Sequence, residues 1–301
     1  MRLLIAGGQG YIGSYLNSYY SDKISVTSID YSSHKSQDNY YQLDLTKLLE
    51  TEIFAKTHDH FDVLIFLVGL AHDKGKGKDL PVFREVNYQT IVNLLSALNS
   101  VGKTPGKIIF SSTISVYGER LSQTTYTEQS ITNSFSPYAV TKHLAEQYLC
   151  ANYSERSWLL RFAPVYSKSF LLNINRRIRL KKWLYKVGKG NAKLSLCNID
   201  NIIIAIEGIL KDRVPPDIYN ISDPIDYTYN DLLMLSRETF TIRIPRTIIK
   251  LAYLIGLMTG NIFLKENSVK LGTDNIFPSD KISSFVNLNA RLENTNFHDA
   301  I

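Results

Sequence analysis

A tyrosine and a lysine four residues apart form the pair most suggestive of chemistry in this sequence. Tyr138 and Lys142 lie in residues 136–142, where Ser136 suits a helix N-cap and Pro137 suits the first helical position. Residues spaced by four share one face of a helix. A phenol has an ordinary pKa near 10, and a neighbouring ammonium would lower it. The pair therefore predicts a phenol that moves a proton while hydride is transferred.

Hydroxyl side chains follow a predicted strand and could bind the same substrate oxygen. Ser111, Ser112 and Thr113 stand where an aliphatic run ends. A Tyr–Lys pair by itself is common on exposed helices. Together with these hydroxyls and a glycine loop at the start of the chain, the pair favours a catalytic site over an exposed pair.

Glycines occupy the junction between the first predicted strand and the first predicted helix. Gly7, Gly10 and Gly13 have the spacing G-x-x-G-x-x-G, and Tyr11 and Ile12 open the helix. Glycine permits a tight strand-to-helix turn and lets a pyrophosphate approach the backbone. The free N–H groups and positive dipole end of the helix attract that anion. The loop therefore predicts a dinucleotide site.

Asp30 ends the second predicted strand, about 20 residues after the loop, as in dinucleotide-binding folds. A carboxylate there accepts hydrogen bonds from the adenosine ribose and repels a 2′-phosphate. The position favours NAD over NADP, and the alternative is that Asp30 is only a turn residue. His34 and Lys35 lie nearby in the sequence, and because of them NADP stays an alternative cofactor.

The elements that must position these residues alternate in type. Aliphatic or β-branched runs predict strands at residues 2–6, 25–29, 63–68, 107–111 and 157–161. Helical periodicity predicts helices at residues 11–20, 82–99 and 137–153. Such alternation is typical of a parallel sheet covered on both faces. We predict an α/β protein with a doubly wound parallel sheet, the Rossmann fold, and a smaller C-terminal substrate-binding cap.

The second half of the chain is less regular. We expect an NAD-binding Rossmann domain over residues 1–165 and a substrate-binding region over residues 166–301. Residues 167–193 are basic and predict irregular structure. The remaining predicted elements are a helix at 200–210 that packs back on the Rossmann domain, a strand at 217–221, a helix at 229–240 and a helix from Pro245.

The basic stretch has two interpretations. Its cations could reach a nucleotide diphosphate, since Arg and Lys bind phosphate well, or they could form a solvated face with one or two members turned inward. The residues concerned are Arg176, Arg177, Arg179, Lys181, Lys182, Lys186, Lys189 and Lys193.

The composition bounds the function. The 301 residues include 34 basic and 28 acidic ones, and the net charge of +6 suits an anionic small molecule without calling for nucleic acid. Cys150 and Cys197 are too few for a four-ligand metal cluster, and we expect no metal. We interpret both as buried thiols in a reducing compartment. With no secretory signal, we expect a cytoplasmic protein.

Residues 248–263 form the most apolar segment of the sequence. Lys250 interrupts the segment, and a membrane span needs about 20 continuous apolar residues. The segment therefore predicts a packed amphipathic helix and no membrane span. A helix lying on a membrane surface is the alternative.

These motifs together resemble the extended short-chain dehydrogenase/reductase family, specifically its NAD-dependent nucleotide-sugar epimerases, dehydratases and reductases. The resemblance covers nearly the whole chain. Besides the glycine loop and the Tyr-x-x-x-Lys helix, it rests on Asp30, Asp44, Leu45, residues 66–70, Asn87, residues 111–113, Arg161, Asp200 and residues 219–223. It implies NAD as cofactor, a nucleotide-sugar substrate and a homodimer.

The resemblance also implies roles by position. Thr113, Tyr138 and Lys142 look like the catalytic Ser/Thr, the acid/base and its lysine partner, and the last two also contact the cofactor. The other implied cofactor contacts are Asp44 and Leu45 at the adenine, Leu67, Val68 and Gly69 along the cofactor, and Asn87 beneath it. The expected substrate contacts are Thr113, Asn173, Arg177 and Asp200.

Several positions depart from the family pattern. Ile114 and Ser115 replace the Asp-Glu pair that follows the catalytic threonine in 4,6-dehydratases, which makes that reaction an improbable one for this chain. Pro164 replaces an asparagine that contacts the sugar or nucleotide. Phe66 and Asn198 replace a common histidine and a common tyrosine.

The leading expectation is a C4 epimerase of a UDP- or dTDP-hexose. Tyr138 would help remove hydride from C4 to NAD, and the resulting 4-keto sugar would rotate and take hydride back on its other face. The alternative is an NAD(P)H-dependent reductase of a nucleotide 4-keto-6-deoxy sugar, which would use the same residues in one direction. A non-catalytic NAD-sensing Rossmann protein is a third possibility, which the intact Thr113, Tyr138 and Lys142 disfavour.

Overall fold

Strands and helices alternate through the first half of the chain, as the sequence predicts. The computed structural model describes residues 1–33, 39–70, 79–118, 120–235 and 240–294. In chain order the strands are β1 (Arg2–Ala6), β2 (Ser25–Asp30), β3 (Tyr40–Gln42), β4 (Val63–Phe66), β5 (Lys107–Thr113), β6 (Ser157–Phe162), β7 (Val165–Tyr166), β8 (Arg179–Leu180), β9 (Trp183–Val187), β10 (Lys193–Leu194), β11 (Cys197–Asn198), β12 (Ile218–Ile221), β13 (Tyr227–Thr228) and β14 (Thr241–Ile244).

The helices vary in length from one turn to nearly five. They are α1 (Tyr11–Tyr20), α2 (Leu48–Thr57), α3 (Leu80–Arg84), α4 (Thr90–Ser100), α5 (Pro137–Tyr153), α6 (Leu172–Ile178), α7 (Ile199–Leu210), α8 (Tyr229–Met234), α9 (Arg246–Thr259), α10 (Ile262–Gly272) and α11 (Asp280–Ser283). A π-helical turn, Glu85–Gln89, joins α3 to α4, and short 3₁₀ turns occur at Ile114–Tyr117, Ser154–Arg156 and Leu292–Asn294.

The central sheet has seven strands in the order β12-β6-β5-β4-β1-β2-β3. β1 pairs in parallel with β2 and with β4, and β4 pairs in parallel with β5. Leu3, Leu4 and Ile5 of β1 are fully buried, as expected for a central strand covered on both faces. This sheet confirms the predicted α/β fold with a doubly wound parallel sheet.

The chain divides into two units that alternate along the sequence. The first comprises Met1–Thr113, Ser136–Leu160 and Pro215–Ile218. The second comprises Ile114–Phe135, Arg161–Val214 and Tyr219–Ile301. Three expectations stay predictions. They are that residues 1–165 bind NAD, that residues 166–301 bind the substrate, and that the helix at 200–210 packs on the Rossmann domain.

The basic stretch is more regular than predicted. It contains the helix α6 and the antiparallel strands β8 and β9, and β9 pairs with β14. The predicted helix at 229–240 ends at Met234, and β14 begins at Thr241. Three of the four residues of β14 are β-branched, which favours a strand, and β9 is its hydrogen-bonding partner. A pairing across more than fifty residues lies beyond any local pattern.

Two further expectations need correction. Cys197 is buried as predicted, but Cys150 is exposed on α5. The apolar segment forms two helices, because Gly260 adopts a left-handed conformation with φ of 67° and ends α9. One face of α9 packs closely on α10, as predicted, but large apolar side chains such as Leu251 and Met258 lie on the exposed face. Among the described residues, no helix is long and apolar enough to cross a membrane.

Candidate active site

The structure brings Thr113 and Tyr138 together. Thr113 is the last residue of β5, and Tyr138 lies in the first turn of α5. The Ser136 hydroxyl caps α5 by accepting a hydrogen bond from the Ala139 N–H at 3.4 Å, which fixes where the helix begins. A hydrogen bond joins the side chains of Thr113 and Tyr138. Two hydroxyls at one point can bind one substrate oxygen, as the sequence suggested.

Lys142 is held in the interior, one helical turn after Tyr138. Its ammonium Nζ donates a hydrogen bond to the Val68 carbonyl oxygen at 3.1 Å and lies 4.7 Å from the centre of the Phe110 ring. A Cβ added to Gly69 would lie 3.0 Å from this Nζ, so a larger residue there would crowd the ammonium. The predicted residues Val68, Gly69 and Lys142 therefore meet at one place.

The protonation of the two residues follows from burial. Burial lowers the pKa of Lys142 to about 7, and the charge of Glu146 opposes this effect. Burial raises the pKa of Tyr138, and the hydrogen bond from Thr113 lowers it less. The expected lowering of the Tyr138 pKa is thus absent from the chain alone. The physical reason is that desolvation of the phenolate outweighs its hydrogen bond.

Asn87 ties the segment after β4 to α5. It lies in the π-helical turn and is fully buried. Its Oδ1 accepts a hydrogen bond from the Leu70 N–H at 2.5 Å, and its Nδ2 donates to the Leu70 carbonyl at 3.3 Å and to Thr141 Oγ1 at 3.1 Å. These bonds fix the backbone that follows Leu67, Val68 and Gly69. π-Helical turns occur frequently at functional sites.

Sequence reasoning missed a buried carboxyl group beside this cluster. Glu146 lies one turn after Lys142 on α5 and is 2% exposed. Its Oε1 accepts a hydrogen bond from the Ser112 hydroxyl of β5. The spacing of four between Lys142 and Glu146 was the signal that could have revealed it. Glu146 links α5 to the strand that carries Thr113.

The glycine loop forms a close-packed turn into α1. Gly10 precedes Tyr11 as the N-cap residue, and no side chain among the described residues caps this helix. A Cβ added to Gly13 would lie 2.3 Å from the Gly7 carbonyl oxygen and 2.8 Å from the Gly8 Cα. The first turn of a helix offers N–H groups that lack partners inside the helix. The loop therefore fits the pyrophosphate of a dinucleotide.

Asp30 faces the glycine loop from the end of β2. Its Oδ2 accepts a hydrogen bond from the Gln9 N–H at 3.0 Å. Its Oδ1 accepts from the Ser32 N–H at 3.1 Å and from the Ser32 hydroxyl at 2.8 Å. The carboxylate is therefore held beside the glycine loop. His34 and Lys35, which kept NADP open, lie outside the described residues.

Asp44 and Leu45 follow β3 on the same unit. The Asp44 Oδ1 accepts hydrogen bonds from the Thr46 N–H at 3.0 Å and the Thr46 hydroxyl at 2.7 Å, which shapes a turn. The Leu45 side chain is buried, and its carbonyl accepts from Asn93 Nδ2 at 2.9 Å. The contact of Asp44 and Leu45 with the adenine stays a prediction.

The predicted substrate contacts Asn173 and Arg177 lie one turn apart on α6 of the second unit. Asn173 Nδ2 donates to the Val165 carbonyl at 2.8 Å, and an Arg177 guanidinium N–H donates to the Asn173 carbonyl at 2.7 Å. Arg177 is half-buried, whereas Lys181 and Lys182 are exposed. The basic stretch thus has both an inward member and a solvated face.

Asp200 lies at the start of α7, where its N–H donates to the Asn198 side-chain oxygen at 3.0 Å. It is exposed. The nearby buried carboxylate belongs to Asp223, which accepts hydrogen bonds from the Tyr166 hydroxyl at 2.6 Å, the Tyr227 hydroxyl at 2.9 Å and the Asn198 N–H at 2.7 Å. Burial raises the pKa of Asp223, and these hydrogen bonds oppose the rise. Asp223 thus organises the start of α7.

A comparison with protein families matches residues 3–222 to the NAD-dependent epimerase/dehydratase family. The chain is 26% identical over 267 residues to dTDP-D-glucose 4,6-dehydratase of Dictyostelium discoideum. That match covers 77% of this chain and only 60% of the length of that relative. The family description names NAD, which confirms the cofactor predicted from the sequence.

Solved structures with the same fold include two sugar-nucleotide epimerases. One is UDP-glucuronic acid 4-epimerase from Bacillus cereus in complex with UDP-glucuronic acid and NAD, with a TM-score of 0.72, 20% identity, and coverage of 97% of this chain and 95% of that one. The other is ADP-L-glycero-D-manno-heptose-6-epimerase from Helicobacter pylori, with a TM-score of 0.72, 16% identity, and coverage of 96% and 91%. At these identities the likeness concerns the fold.

Proposed function

The chain belongs to the NAD-dependent epimerase/dehydratase family, and we propose that it epimerises a nucleotide-activated hexose at C4 through a transient 4-keto sugar. The observation that carries the proposal is the hydrogen bond between Thr113 and Tyr138, with the buried Lys142 one helical turn away. A sensor of NAD would not need a phenol placed beside a second hydroxyl and a desolvated amine. We therefore favour an enzyme over a non-catalytic NAD-binding protein.

Tyr138 is the acid/base of the proposed reaction. Its phenol exchanges a proton with the C4 hydroxyl of the sugar, and the Thr113 hydroxyl orients the same oxygen. With its pKa lowered to about 7, Lys142 is partly charged at neutral pH, and its ammonium favours the phenolate form of Tyr138. NAD, when bound, supplies the hydride acceptor and donor.

The first unit supplies the groups that would hold NAD. We propose that the loop from Gly7 to Gly13, with Tyr11 and Ile12 in the first turn of α1, holds the pyrophosphate. The remaining proposed contacts are Asp30 with the adenosine ribose, Asp44 and Leu45 with the adenine, and Leu67, Val68, Gly69 and Asn87 along the rest of the cofactor. The close approach of backbone at Gly13 supports this placement.

Ile114 and Ser115 argue against a dehydratase reaction, although one relative bears that name. Elimination of water needs an acid and a base beside the catalytic threonine, and the two following positions hold neither a carboxylate nor a histidine. Ile114 is buried and apolar. The reaction that Tyr138 can support without further acid or base is the reversible oxidation of a hydroxyl.

We propose a nucleoside diphosphate sugar as the substrate, with UDP or dTDP as the carrier. On the second unit, Asn173 and Arg177 would bind the diphosphate, and Asp200 would bind a hydroxyl. The half-buried position of Arg177 supports its proposed role in binding the diphosphate. The fold neighbour from Bacillus cereus is named for UDP-glucuronic acid and binds it together with NAD.

The test is to incubate the purified protein with NAD and with UDP- and dTDP-hexoses, and to follow the C4 configuration by NMR. We expect interconversion of C4 epimers with no net formation of NADH. Stoichiometric oxidation of NAD(P)H by a nucleotide 4-keto-6-deoxy sugar, without epimerisation, would establish the reductase instead. Binding of NAD with no turnover of any of these sugars would contradict an enzymatic role.

A further inference from the structure

The helix α9 has one packed face and one exposed face. On the packed face, a Cβ added to Gly256 would lie 2.8 Å from the Lys265 backbone nitrogen, and a Cβ added to Gly272 would lie 3.2 Å from the Ile249 side chain. α10 therefore covers this side of α9 closely. The opposite side carries large apolar residues that no described part of the chain covers.

We call this opposite side the apolar face. It comprises Ile248, Leu251, Leu254, Ile255 and Met258 of α9. Leu251 is 58% exposed and Met258 88%. The spacing of three and four residues places the α9 members on one side of the helix. Contiguous exposed apolar residues of this size usually mark a binding surface.

The segment that carries the apolar face is rich in basic residues. Residues 240–265 contain four basic and no acidic residues, Arg243, Arg246, Lys250 and Lys265. β14, which leads into α9, pairs with β9. β9 lies in residues 157–199, which contain ten basic and no acidic residues. Glu266 follows on α10, and its carboxylate lies 4.0 Å from the Lys270 ammonium. An apolar helix face with exposed cations on the same segment is complementary to a surface that is anionic outside and apolar inside.

A separate pair of exposed aromatic side chains lies at the start of the β9–β14 pair. Trp183 is 48% exposed and Phe240 62% exposed, and their ring centres lie 5.8 Å apart. The Lys182 ammonium lies 5.1 Å from the centre of the Trp183 ring. Tryptophan prefers the boundary between headgroups and acyl chains, and lysine beside it can reach the phosphates. An exposed tryptophan beside a lysine therefore suits the same boundary between headgroups and acyl chains.

We propose that the apolar face of α9 docks on an anionic phospholipid membrane surface, with the helix lying in the plane of the headgroups. α9 has only 14 residues, so it can lie on a bilayer but cannot span one. A second copy of this chain is a poorer occupant, because self-pairing would bring the same cations of both copies together. An amphipathic helix with cations beside its apolar face is what binds such surfaces.

The expected contributions can be set from charge and apolar area. A basic residue near an anionic membrane surface contributes about fivefold to binding. The double substitution Arg246→Gln with Lys250→Gln should therefore weaken binding by about 25-fold. Leu251→Ser and Met258→Ser should each weaken it by about tenfold, because each removes an apolar side chain from the acyl boundary.

The experiment is co-sedimentation of the purified full chain with sucrose-loaded vesicles. One set is pure phosphatidylcholine, and the other mixes phosphatidylcholine and phosphatidylglycerol in equal parts. We expect binding to the mixed vesicles only, and we expect the charge and apolar variants to bind them more weakly by the factors given above. The matched controls are Leu49→Ser and Lys56→Gln on α2, both at exposed positions, which should bind like the wild type. Unchanged circular dichroism and NAD affinity verify that each variant is folded.

Three outcomes would overturn the proposal. One is wild-type protein that binds neither vesicle type. Another is that the Leu251→Ser and Met258→Ser variants bind vesicles like the wild type. Charge alone would then account for the binding, and an acidic protein would be an equally suitable partner. The last is self-association of the wild type that Leu254→Ser abolishes, combined with no vesicle binding, which would make the face a contact between copies. None of these results depends on the proposed catalytic activity.

Discussion

Replacing Lys142 by methionine should abolish turnover and, at the same time, stabilise the NAD-free protein. Lys142 is 3% exposed, and methionine has a similar length and no charge. Loss of the ammonium removes the group that, in the proposed mechanism, favours the Tyr138 phenolate. The stabilisation follows because the folded state must desolvate or deprotonate the Lys142 ammonium, whereas in the unfolded chain this group is in water.

The size of this effect follows from the Lys142 pKa. Burial lowers that pKa from the ordinary value of 10.5 to about 7. The unfolded chain therefore binds more protons than the folded chain between these values, and wild-type stability rises with pH across this window. A tenfold change in proton affinity is worth about 1.4 kcal/mol, so Lys142 costs the folded state about 4 kcal/mol at pH 7. That cost falls to about 2 kcal/mol at about pH 9.

The assay is urea denaturation of the NAD-free wild type and Lys142→Met at both pH values. We expect the variant to be more stable by several kcal/mol at neutral pH, with a smaller advantage at the higher pH. Lys56→Met is the matched control, since Lys56 is exposed, and its effect should stay within about 0.5 kcal/mol. A variant less stable than the wild type at neutral pH, or a difference independent of pH, would refute the reasoning.

Three further substitutions test the proposed binding of NAD and of the nucleotide sugar. Gly13→Ala should reduce NAD affinity at least tenfold by equilibrium titration, because its Cβ would lie 2.3 Å from the Gly7 carbonyl oxygen; unchanged affinity would remove the loop from the site. Asp30→Ser should lower the affinity for NAD and reduce the preference for NAD over NADP. A wild-type protein that binds NADP more tightly than NAD would contradict this prediction. Arg177→Gln should raise KM for the nucleotide sugar about tenfold with NAD affinity unchanged, since charged hydrogen bonds contribute about 1.5–3 kcal/mol, whereas the exposed control Lys189→Gln should not.

Local signals were enough to predict the elements that carry the candidate site. The bounds of β1, α1 and α5 agree with the sequence, because the glycine loop and the Ser-Pro start of α5 fix where those elements begin. The convergence of Val68, Asn87 and Lys142 followed from their family positions. Their roles in catalysis and cofactor binding stay predictions.

Features that depend on contacts distant in sequence were missed. The hydrogen bond between Ser112 and Glu146 joins residues 34 apart, and the spacing of Glu146 from Lys142 does not indicate that Ser112 is its partner. The β9–β14 pairing gives the basic stretch its order and is equally non-local. Periodicity shows that α9 is amphipathic, but it does not show which face remains exposed. The rise in the Tyr138 pKa likewise depends on the environment that the fold builds around it.

The most direct test of the proposed function is turnover by Tyr138→Phe, measured with the sugar nucleotide that the wild type epimerises. Phenylalanine keeps the ring and removes the oxygen that moves the proton. We expect kcat to fall by about 10²–10⁴-fold, with substrate binding little changed and NAD still bound. Thr113→Ser, which keeps the hydroxyl, should have a mild effect and serves as the control. Near-normal turnover by Tyr138→Phe would contradict the assignment of Tyr138 as the acid/base.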